Sequence, residues 1–331
     1  MKATKKWFAP ILALLLVSGI HMQAQGQLTF KNPIIDEDAP DPTVMKAKDG
    51  YYYLYSTGDK IFRSPDMVNW KHVGRFFEQG KEPTFVPGVK RCWAPDINYI
   101  DKKYVLYFAR SIWGGEDSCG VGVAYSDRPQ GPFTLARGDG KLFRSFEIGV
   151  RNSIDPFYIR DKGRNWLIWG SFSGIYAIEL TKDGLQVKPG AQKVQIGGKA
   201  YEGAYVYKRK RYYYFFGSKG SCCAGAKSTY TTVVARSKNL LGPYVDKQGR
   251  SLLDNHHEVL LHRNAKWIGT GHNGELIKDK QGRTWMPYHA FRADDPQKGR
   301  VVNLDLVQWN KDGWPYIENA EPRDEYRKPQ F

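Results

Sequence analysis

Short apolar runs rich in aromatic residues recur along the chain, and each is followed, after a polar turn, by a second apolar run. β-Branched and aromatic residues in short runs bounded by Gly, Asp and Pro are typical of strands. No stretch after the N-terminus has the period of an amphipathic helix. The first runs cover residues 51–56, 104–108, 166–172, 212–218 and 284–289, and the second runs cover 61–64, 122–126, 174–178, 233–237 and 304–309. The pattern predicts an all-β protein.

An acidic residue in a turn precedes each first run. These positions are Asp41, Asp96, Asp155, Glu202 and the segment 272–275. Asp155 stands before a proline, which disfavours helical backbone, so we expect it in a loop or at a strand start. The spacing of the copies is roughly the 40–50 residues of a four-stranded propeller blade with added loops. We therefore predict a five-bladed β-propeller in which these positions converge near one mouth of a central channel.

The N-terminal residues predict export. Three lysines lie among the first six residues, and residues 10–20 are apolar. This is the pattern of a secretory signal peptide over residues 1–24, with cleavage expected after Ala24. The apolar run is too short to predict a membrane span, and no other run approaches about 20 residues. The mature chain, residues 25–331, is predicted to be one propeller domain, periplasmic or extracellular, without an integral membrane segment.

The charge of the chain raises the question of an anionic partner. The formal net charge is +16, and without the three N-terminal lysines 47 basic residues stand against 34 acidic ones, which gives +13. A basic chain is a feature of nucleic-acid binders. Here, however, the basic residues are scattered through turns. We expect a solvated basic surface and no nucleic-acid partner, with attraction to an acidic polymer such as pectin as the functional alternative.

The chain has four cysteines, Cys92, Cys119, Cys222 and Cys223. An even number in an exported protein is compatible with disulfides. No Cys-x-x-Cys pair occurs, so a zinc site is not predicted. The sequence leaves undecided whether Cys92 pairs with Cys119 and whether the neighbours Cys222 and Cys223 pair with each other.

Several motifs carry a family resemblance. They read APDPT at 39–43, CWAPDI at 92–97, NSIDP at 152–156 leading into GSF at 170–172, and YEGAY at 201–205. On these motifs the chain resembles glycoside hydrolase family 43, five-bladed propellers that act on arabinose- and xylose-containing polysaccharides. It is most similar to the arabinanase branch of that family, on SCCAG at 221–225, STY at 228–230, VARS at 234–237 and GTGHNGE at 269–275.

The resemblance implies roles for three of the acidic positions. Asp41 would be the general base that activates water, and Glu202 the general acid that protonates the leaving oxygen. Asp155 would adjust the pKa of the acid and hold it in orientation. The family inverts the anomeric centre, so we expect the carboxylates of base and acid roughly 6.5–9.5 Å apart, with room for a water. The acid must stay protonated near neutral pH, and a neighbouring carboxylate raises its pKa accordingly.

Other positions each have a structural alternative. His272 resembles the histidine at the channel axis that helps to hold an ion, usually calcium, through water; otherwise it is a hydrogen-bonded core residue. Trp93 is a candidate for stacking on a sugar ring or for packing between blades. Asn152 and Ser171 are expected to help bind the substrate. Asp96 is expected to be structural.

The sequence thus predicts an exported, inverting glycoside hydrolase that cleaves α-1,5-linked arabinan. An exo-acting α-L-arabinofuranosidase or β-xylosidase is the nearest alternative. The segment 172–174 lacks the Trp often found there in family arabinanases, and the loop 113–118 could reshape a subsite. A non-catalytic carbohydrate-binding propeller is the alternative from another class, and the presence of all three carboxylates counts against it. The oligomeric state stays open.

Overall fold

The computed structural model describes residues 29–331 as an all-β chain with one short helix. The predicted signal peptide, residues 1–24, lies outside the described residues. Each of the ten predicted apolar runs contains a strand, which confirms the strand prediction. Over residues 29–331, no helix has the length and apolar character needed to cross a membrane.

The strands follow one another along the chain with few helical turns between them. They are β1 (Thr29–Lys31), β2 (Thr43–Lys46), β3 (Tyr52–Ser56), β4 (Lys60–Ser64), β5 (Lys71–Arg75), β6 (Trp93–Ile100), β7 (Lys103–Arg110), β8 (Gly120–Ser126), β9 (Thr134–Leu135), β10 (Lys141–Arg144), β11 (Phe157–Asp161), β12 (Arg164–Trp169), β13 (Ile175–Leu180), β14 (Val194–Gly197), β15 (Glu202–Arg209), β16 (Tyr212–Lys219), β17 (Thr231–Ser237), β18 (Glu258–Leu261), β19 (Trp267–Gly271), β20 (Ile277–Lys278), β21 (Thr284–Arg292), β22 (Arg300–Trp309), β23 (Pro315–Tyr316) and β24 (Glu325–Arg327). The helix α1 is Ser145–Ile148, and the 3-10 turns are Gly225–Lys227, Leu252–Asp254, Pro296–Lys298 and Glu318–Ala320.

These strands form five antiparallel units in chain order. The units are β2–β5, β6–β10, β11–β14, β15–β18 and β19–β23, and the fourth and fifth are joined by a single parallel pair, Thr231 with Thr270. The two ends of the described chain meet on the fifth unit. There β1 pairs with β24, and Ile35 bridges to Val302 of β22.

The main apolar cores lie between the units. Five large clusters of buried side chains each join two neighbouring units, and one of them joins the fifth unit back to the first. Strand β3 shows the cause: Tyr53 and Tyr55 pack toward the second unit, whereas Tyr52 and Leu54 pack toward the fifth. Successive strand residues point to opposite faces. A strand covered on both faces therefore reads as a continuous apolar run in the sequence.

Candidate active site

One residue at the corresponding place in each unit has left-handed backbone. These residues are Asp41, Ala94, Asp155, Gly203 and His272, with φ of 56°, 38°, 57°, 58° and 45°. Side chains in this region cost about 1–2 kcal/mol per residue, so the surrounding structure must hold them there. In the fourth unit the position is glycine, and a Cβ at Gly203 would lie 3.0 Å from the His272 ring. The same tight turn thus recurs in all five units, next to the residues that line one shared pocket.

This backbone register corrects the alignment of acidic residues expected from the sequence. Asp96 lies two residues after Ala94 and Glu275 three residues after His272, and both line a narrow cavity of about 20 Å³. Glu202 comes one residue before its unit's turn residue, Gly203. The expected convergence at one mouth is therefore wrong for Asp96 and Glu275, because the residues after the turn carry them away from the pocket that Asp41 lines.

Side chains from all five units line a pocket of about 330 Å³. It contains every residue proposed from the sequence for catalysis, sugar binding or ion binding, namely Asp41, Trp93, Asn152, Asp155, Ser171, Glu202 and His272. Among them Asp41, Asp155 and Glu202 are buried yet face this pocket. We call these three carboxylates the outer set.

Asp41 is surrounded by donors. Thr57 Oγ1 donates to its Oδ2 at 2.6 Å, and Arg300 Nη1 donates to its Oδ1 at 3.2 Å. Nδ1 of His272 lies 3.2 Å from the same Oδ1, and Nδ1 of His289 accepts a hydrogen bond from the Asp41 backbone N–H at 3.1 Å. Burial alone would raise the pKa of Asp41, but the charges of Arg300 and His272 and the hydrogen bond from His272 hold it well below its usual value. Asp41 is therefore ionised and fixed in orientation.

Glu202 has the opposite electrostatics. Burial, followed by the negative charge of Asp155, raises the pKa of Glu202 to about 7. Burial also raises the pKa of Asp155, although the positive charge of His272 acts in the other direction. Asp155 Oδ2 accepts a hydrogen bond from the Gly203 backbone N–H at 3.0 Å, which ties it to the residue after the acid. One carboxylate of the outer set is thus kept ionised while another holds a proton near neutrality.

Asn152 and Ser171 form a chain of hydrogen bonds that ends on Glu202. Asn152 Nδ2 donates to Ser171 Oγ at 2.9 Å, and Ser171 Oγ donates to Glu202 Oε2 at 2.7 Å. Both side chains also line the pocket. Their polar groups are therefore engaged in positioning Glu202 as well as being within reach of a ligand.

Aromatic and sulfur side chains form the rest of the wall. Trp93 lies 5.8 Å from Trp113, centroid to centroid, and Trp113 is 78 % exposed on the loop 113–118. Trp93 also packs on buried residues of the second and third units, so both of its expected roles are compatible with its place. Phe172, from the segment that lacks a Trp, lines the pocket and is partly exposed.

Of the two disulfides left open by the sequence, one is present. Cys222 and Cys223 are bonded to each other and line the pocket. Cys92 and Cys119 are free and buried, so the bridge between them is not formed. They belong to different apolar clusters, Cys92 between the first two units and Cys119 against Ile154, which keeps the two thiols apart.

Behind the pocket, Asp96 and Glu275 form what we call the inner pair. Asp96 Oδ2 accepts hydrogen bonds from Tyr158 N and Asn98 Nδ2, both at 2.7 Å. Glu275 accepts from Thr43 Oγ1 at 2.7 Å and from the backbone N–H of Val44. Burial and the charge of Glu275 raise the pKa of Asp96 well above its usual value. The donors to Asp96 and Glu275 thus come from the backbone and from neighbouring side chains, and a structural role for Asp96 stays a prediction.

Four residues of the site were not proposed from the sequence. Thr57, Tyr230, His289 and Arg300 all lie in or beside the outer set. Tyr230 stacks on His289 with ring centroids 5.5 Å apart, and burial lowers the pKa of His289 to about 4. Of these four residues, only Tyr230 lies in a motif that could have identified it from the sequence, the STY motif at 228–230. Thr57 follows β3, His289 lies within β21 and Arg300 begins β22, and none of them belongs to a motif.

The surroundings of His272 bear on a metal ion. Within residues 29–331, no three His, Cys, Asp or Glu side chains are arranged to bind a metal directly. Asn273, which lines the narrow channel, has a buried side-chain oxygen without a hydrogen-bond partner among the described residues. Calcium prefers oxygen ligands and accepts water in its shell. An unpartnered amide oxygen next to His272 fits a hydrated cation of this kind.

The fold and this carboxylate pocket are those of an enzyme that hydrolyses glycosidic bonds, and comparison with known proteins agrees. Residues 30–315 match the family model described as glycosyl hydrolases family 43. The chain therefore belongs to glycosyl hydrolases family 43 and is a glycoside hydrolase.

Similar proteins of known name are arabinan-degrading enzymes. An extracellular exo-alpha-(1->5)-L-arabinofuranosidase of Cellvibrio japonicus is 33 % identical over 86 % of this chain and 87 % of its own. An extracellular endo-alpha-(1->5)-L-arabinanase of Bacillus subtilis is 32 % identical over 83 % and 86 %. Among solved structures, a Cellvibrio cellulosa alpha-L-arabinanase complexed with arabinohexaose has a TM-score of 0.73 at 28 % identity, covering 86 % of this chain and 96 % of that one.

Proposed function

We propose that this enzyme hydrolyses α-1,5-linked L-arabinan with inversion at the anomeric carbon. The observation that carries the proposal is the opposite electrostatics of two carboxyl groups in one pocket, with Asp41 held ionised and the pKa of Glu202 raised to about 7. Arabinan as substrate is supported by the names of the similar enzymes and by the arabinohexaose complex.

In the proposed reaction Glu202 is the general acid and Asp41 the general base. Glu202 gives its proton to the glycosidic oxygen as the bond from that oxygen to the anomeric carbon breaks. Asp41 takes a proton from a water, whose oxygen bonds to the anomeric carbon from the opposite face. Afterwards Asp41 is protonated and Glu202 ionised, and exchange with solvent restores both. Thr57 and Arg300 keep the acceptor oxygens of Asp41 in place for the water.

Asp155 prepares the acid. Its negative charge keeps the proton on Glu202 near neutral pH, and its hydrogen bond to Gly203 N–H fixes the backbone that carries Glu202. Trp93 and Trp113 offer an apolar face to a sugar ring, with the Cys222–Cys223 disulfide on the same pocket wall. Apolar surfaces with few polar groups are usual in ligand pockets.

The scaffold proposed for this site is a single five-bladed β-propeller. The five units, the cores between neighbours and the core joining the fifth unit to the first support this arrangement. We also propose that the enzyme is exported. Two similar proteins are named extracellular, and a basic, apolar N-terminus precedes the mature chain.

A calcium ion in the channel is proposed as a structural cofactor. The unpartnered Asn273 oxygen and His272 in its neutral form would hold it, mostly through water, and the ion would then supply the positive charge that protonated His272 supplies without it. Treatment with a chelator should lower the melting temperature, and added calcium should restore it. An unchanged melting temperature after chelation, with no calcium found in the purified protein by metal analysis, would remove the ion from the proposal.

Exo-acting cleavage is the second candidate, favoured by the exposed Trp113 at the pocket edge and by the similarity to a named exo-enzyme. The deciding experiment is product analysis on linear α-1,5-arabinan with wild type, Glu202→Ala and Asp41→Ala. Early release of mixed short oligomers, lost in both variants, is expected for endo cleavage. Arabinose alone from the start would assign exo cleavage. Absence of hydrolysis by folded wild type, with sugar binding retained, would refute the catalytic proposal.

A further inference from the structure

A second, larger pocket lies near the first, because some residues of the two walls are neighbours along the chain. It measures about 840 Å³ and is lined by the loop 79–91 and by the ends of β5 and β7. Arg91 and Arg110 in its wall come just before Trp93 and Ser111, which line the first pocket. Ligand sites for small molecules measure about 300–1,000 Å³. The second pocket is therefore large enough for sugar residues and much larger than an inorganic anion requires.

The lining of the second pocket is strongly basic. Arg75, Lys90, Arg91 and Arg110 line it together with a single acidic residue, Glu82. Arg75 and Lys90 are exposed, and neither has a carboxylate at ion-pair distance within the part of the chain described here. Their charges are therefore free for a ligand.

Arg110 is the unusual member of this lining. Only 2 % of it is exposed, and its Nη2 donates to the Val89 carbonyl at 2.5 Å. Its Nε and Nη1 atoms are buried and have no hydrogen-bond partner among residues 29–331. A buried guanidinium with idle donors is costly unless an anion meets it.

The protein groups near Arg110 do not supply that anion. Asp59 Oδ1 accepts from the Cys92 backbone N–H at 2.8 Å, and its Oδ2 lies 3.3 Å from Arg91 Nη1. The Cys92 thiol lies beside Arg110, but burial raises its pKa well above the usual value, so the sulfur is uncharged. Because Nη2 is engaged by Val89, the unpartnered Nε–H and Nη1–H lie on different edges of the guanidinium, and each can donate to one oxygen of an anion.

We propose that this second pocket binds a uronate carboxylate of an acidic oligosaccharide, with Arg110 at its base and Arg75 and Lys90 at its rim. The inference deepens the proposed function and rests on it, because a polysaccharide that carries both neutral arabinose and uronate units can reach from one pocket to the other nearby pocket. The size of the pocket selects a sugar acid over a free inorganic anion, and the exposed rim cations extend the contact to neighbouring units.

Trigalacturonate is the probe, and isothermal titration calorimetry is the measurement. The wild type should bind it, more weakly as salt rises. Arg75→Gln/Lys90→Gln should weaken binding about tenfold or more, because charge-assisted hydrogen bonds are the strong ones. The matched control is Lys238→Gln/Lys311→Gln, which removes two exposed charges outside this pocket and should bind like wild type. Inorganic phosphate should compete only at much higher concentration than trigalacturonate.

Three results would overturn the inference: no binding of trigalacturonate, equal loss in the control variant, or equal competition by phosphate. Hydrolysis of linear, neutral arabinan separates this inference from the proposed function. Arg75→Gln/Lys90→Gln should cleave neutral arabinan at the wild-type rate. If trigalacturonate binds as expected but arabinan is not cleaved, the proposed function fails and the pocket assignment stands. If arabinan is cleaved and trigalacturonate does not bind, only the inference fails.

Discussion

The outer set and the inner pair are two neighbouring groups of buried carboxyl groups, and they differ in what they face. Asp41, Asp155 and Glu202 line a pocket of about 330 Å³, whereas Asp96 and Glu275 line a cavity of about 20 Å³. The first has room for a sugar unit and the second has room for no more than a small ion or water. Access to a substrate therefore separates two regions that look alike in composition.

Their electrostatics differ in a second way. In the outer set donors and positive charge hold Asp41 ionised, while Glu202 keeps a pKa of about 7. In the inner pair burial raises the pKa of both Asp96 and Glu275, and the charge of Glu275 raises the pKa of Asp96 further. Perturbed pKa values therefore do not by themselves mark an active site. An active site is marked by two accessible groups whose pKa values are shifted in opposite directions, because a protonated acid and an ionised base then coexist at one pH.

Neutralising the outer set should cost far more activity than neutralising the inner pair. Glu202→Gln and Asp41→Asn remove the proton donor and the proton acceptor, and each should lower kcat on linear arabinan by about 10²–10⁴-fold. Asp96→Asn replaces a protonated buried acid by an amide of similar shape and should leave kcat nearly unchanged. Release of reducing ends measures all three. A folded Asp96→Asn enzyme as inactive as Glu202→Gln would abolish the distinction.

Asp155→Asn should have a smaller effect on the rate and a specific effect on its pH dependence. Catalysis requires protonated Glu202, so kcat falls as pH rises through the pKa of about 7. Removing the negative charge of Asp155 lowers that pKa, and the alkaline limb of the kcat profile should move to lower pH. The matched control Asp96→Asn should leave this limb in place. If the alkaline limb of Asp155→Asn is unchanged or moves to higher pH, Asp155 does not raise the pKa of Glu202 as proposed.

The inner pair should be visible in stability rather than in rate. The pKa of Glu275 is about 7 in the folded protein, against 4.5 ordinarily. Between these values the folded state binds more protons than the unfolded state, so stability falls as pH rises through this window. Glu275→Gln should flatten the decline of melting temperature between pH 5 and 8. The exposed Glu78→Gln should not, and a decline equally steep in Glu275→Gln and wild type would contradict the assignment.

The strands and the acidic centre could be predicted from the sequence for a physical reason. Strands covered on both faces leave long aromatic runs, and turns that enter the channel leave motifs such as the one around Asp155. The predicted alignment of Asp96 and Glu275 with Asp41 is wrong because these residues share the acidic chemistry of Asp41 but not its left-handed backbone. Ala94 has the same left-handed backbone as Asp41 and is its true equivalent. Because alanine is not acidic, the sequence pattern does not identify it.

The partners of Asp41 could not be predicted because they are remote in the chain. Arg300 lies at the start of β22, 259 positions from Asp41, and His289 lies within β21. Neither belongs to a local motif, and each reaches the outer set only because the fifth unit packs against the first. The sequence likewise left both disulfides open, since only the fold decides which thiols meet.

The smallest expected effect lies in the pocket wall, at the Cys222–Cys223 disulfide. The outer set does not depend on this bond, but the disulfide lines the space that a sugar would fill. Cys222→Ser/Cys223→Ser should raise KM for arabinohexaose roughly fivefold with kcat unchanged, because the bound substrate and the transition state would each lose about 1 kcal/mol of apolar stabilisation. Reductant should produce the same change in wild type and none in the double variant. A fall in kcat at constant KM would instead mean that the disulfide sets the geometry of the outer set, which would extend the catalytic region to the rim of the pocket.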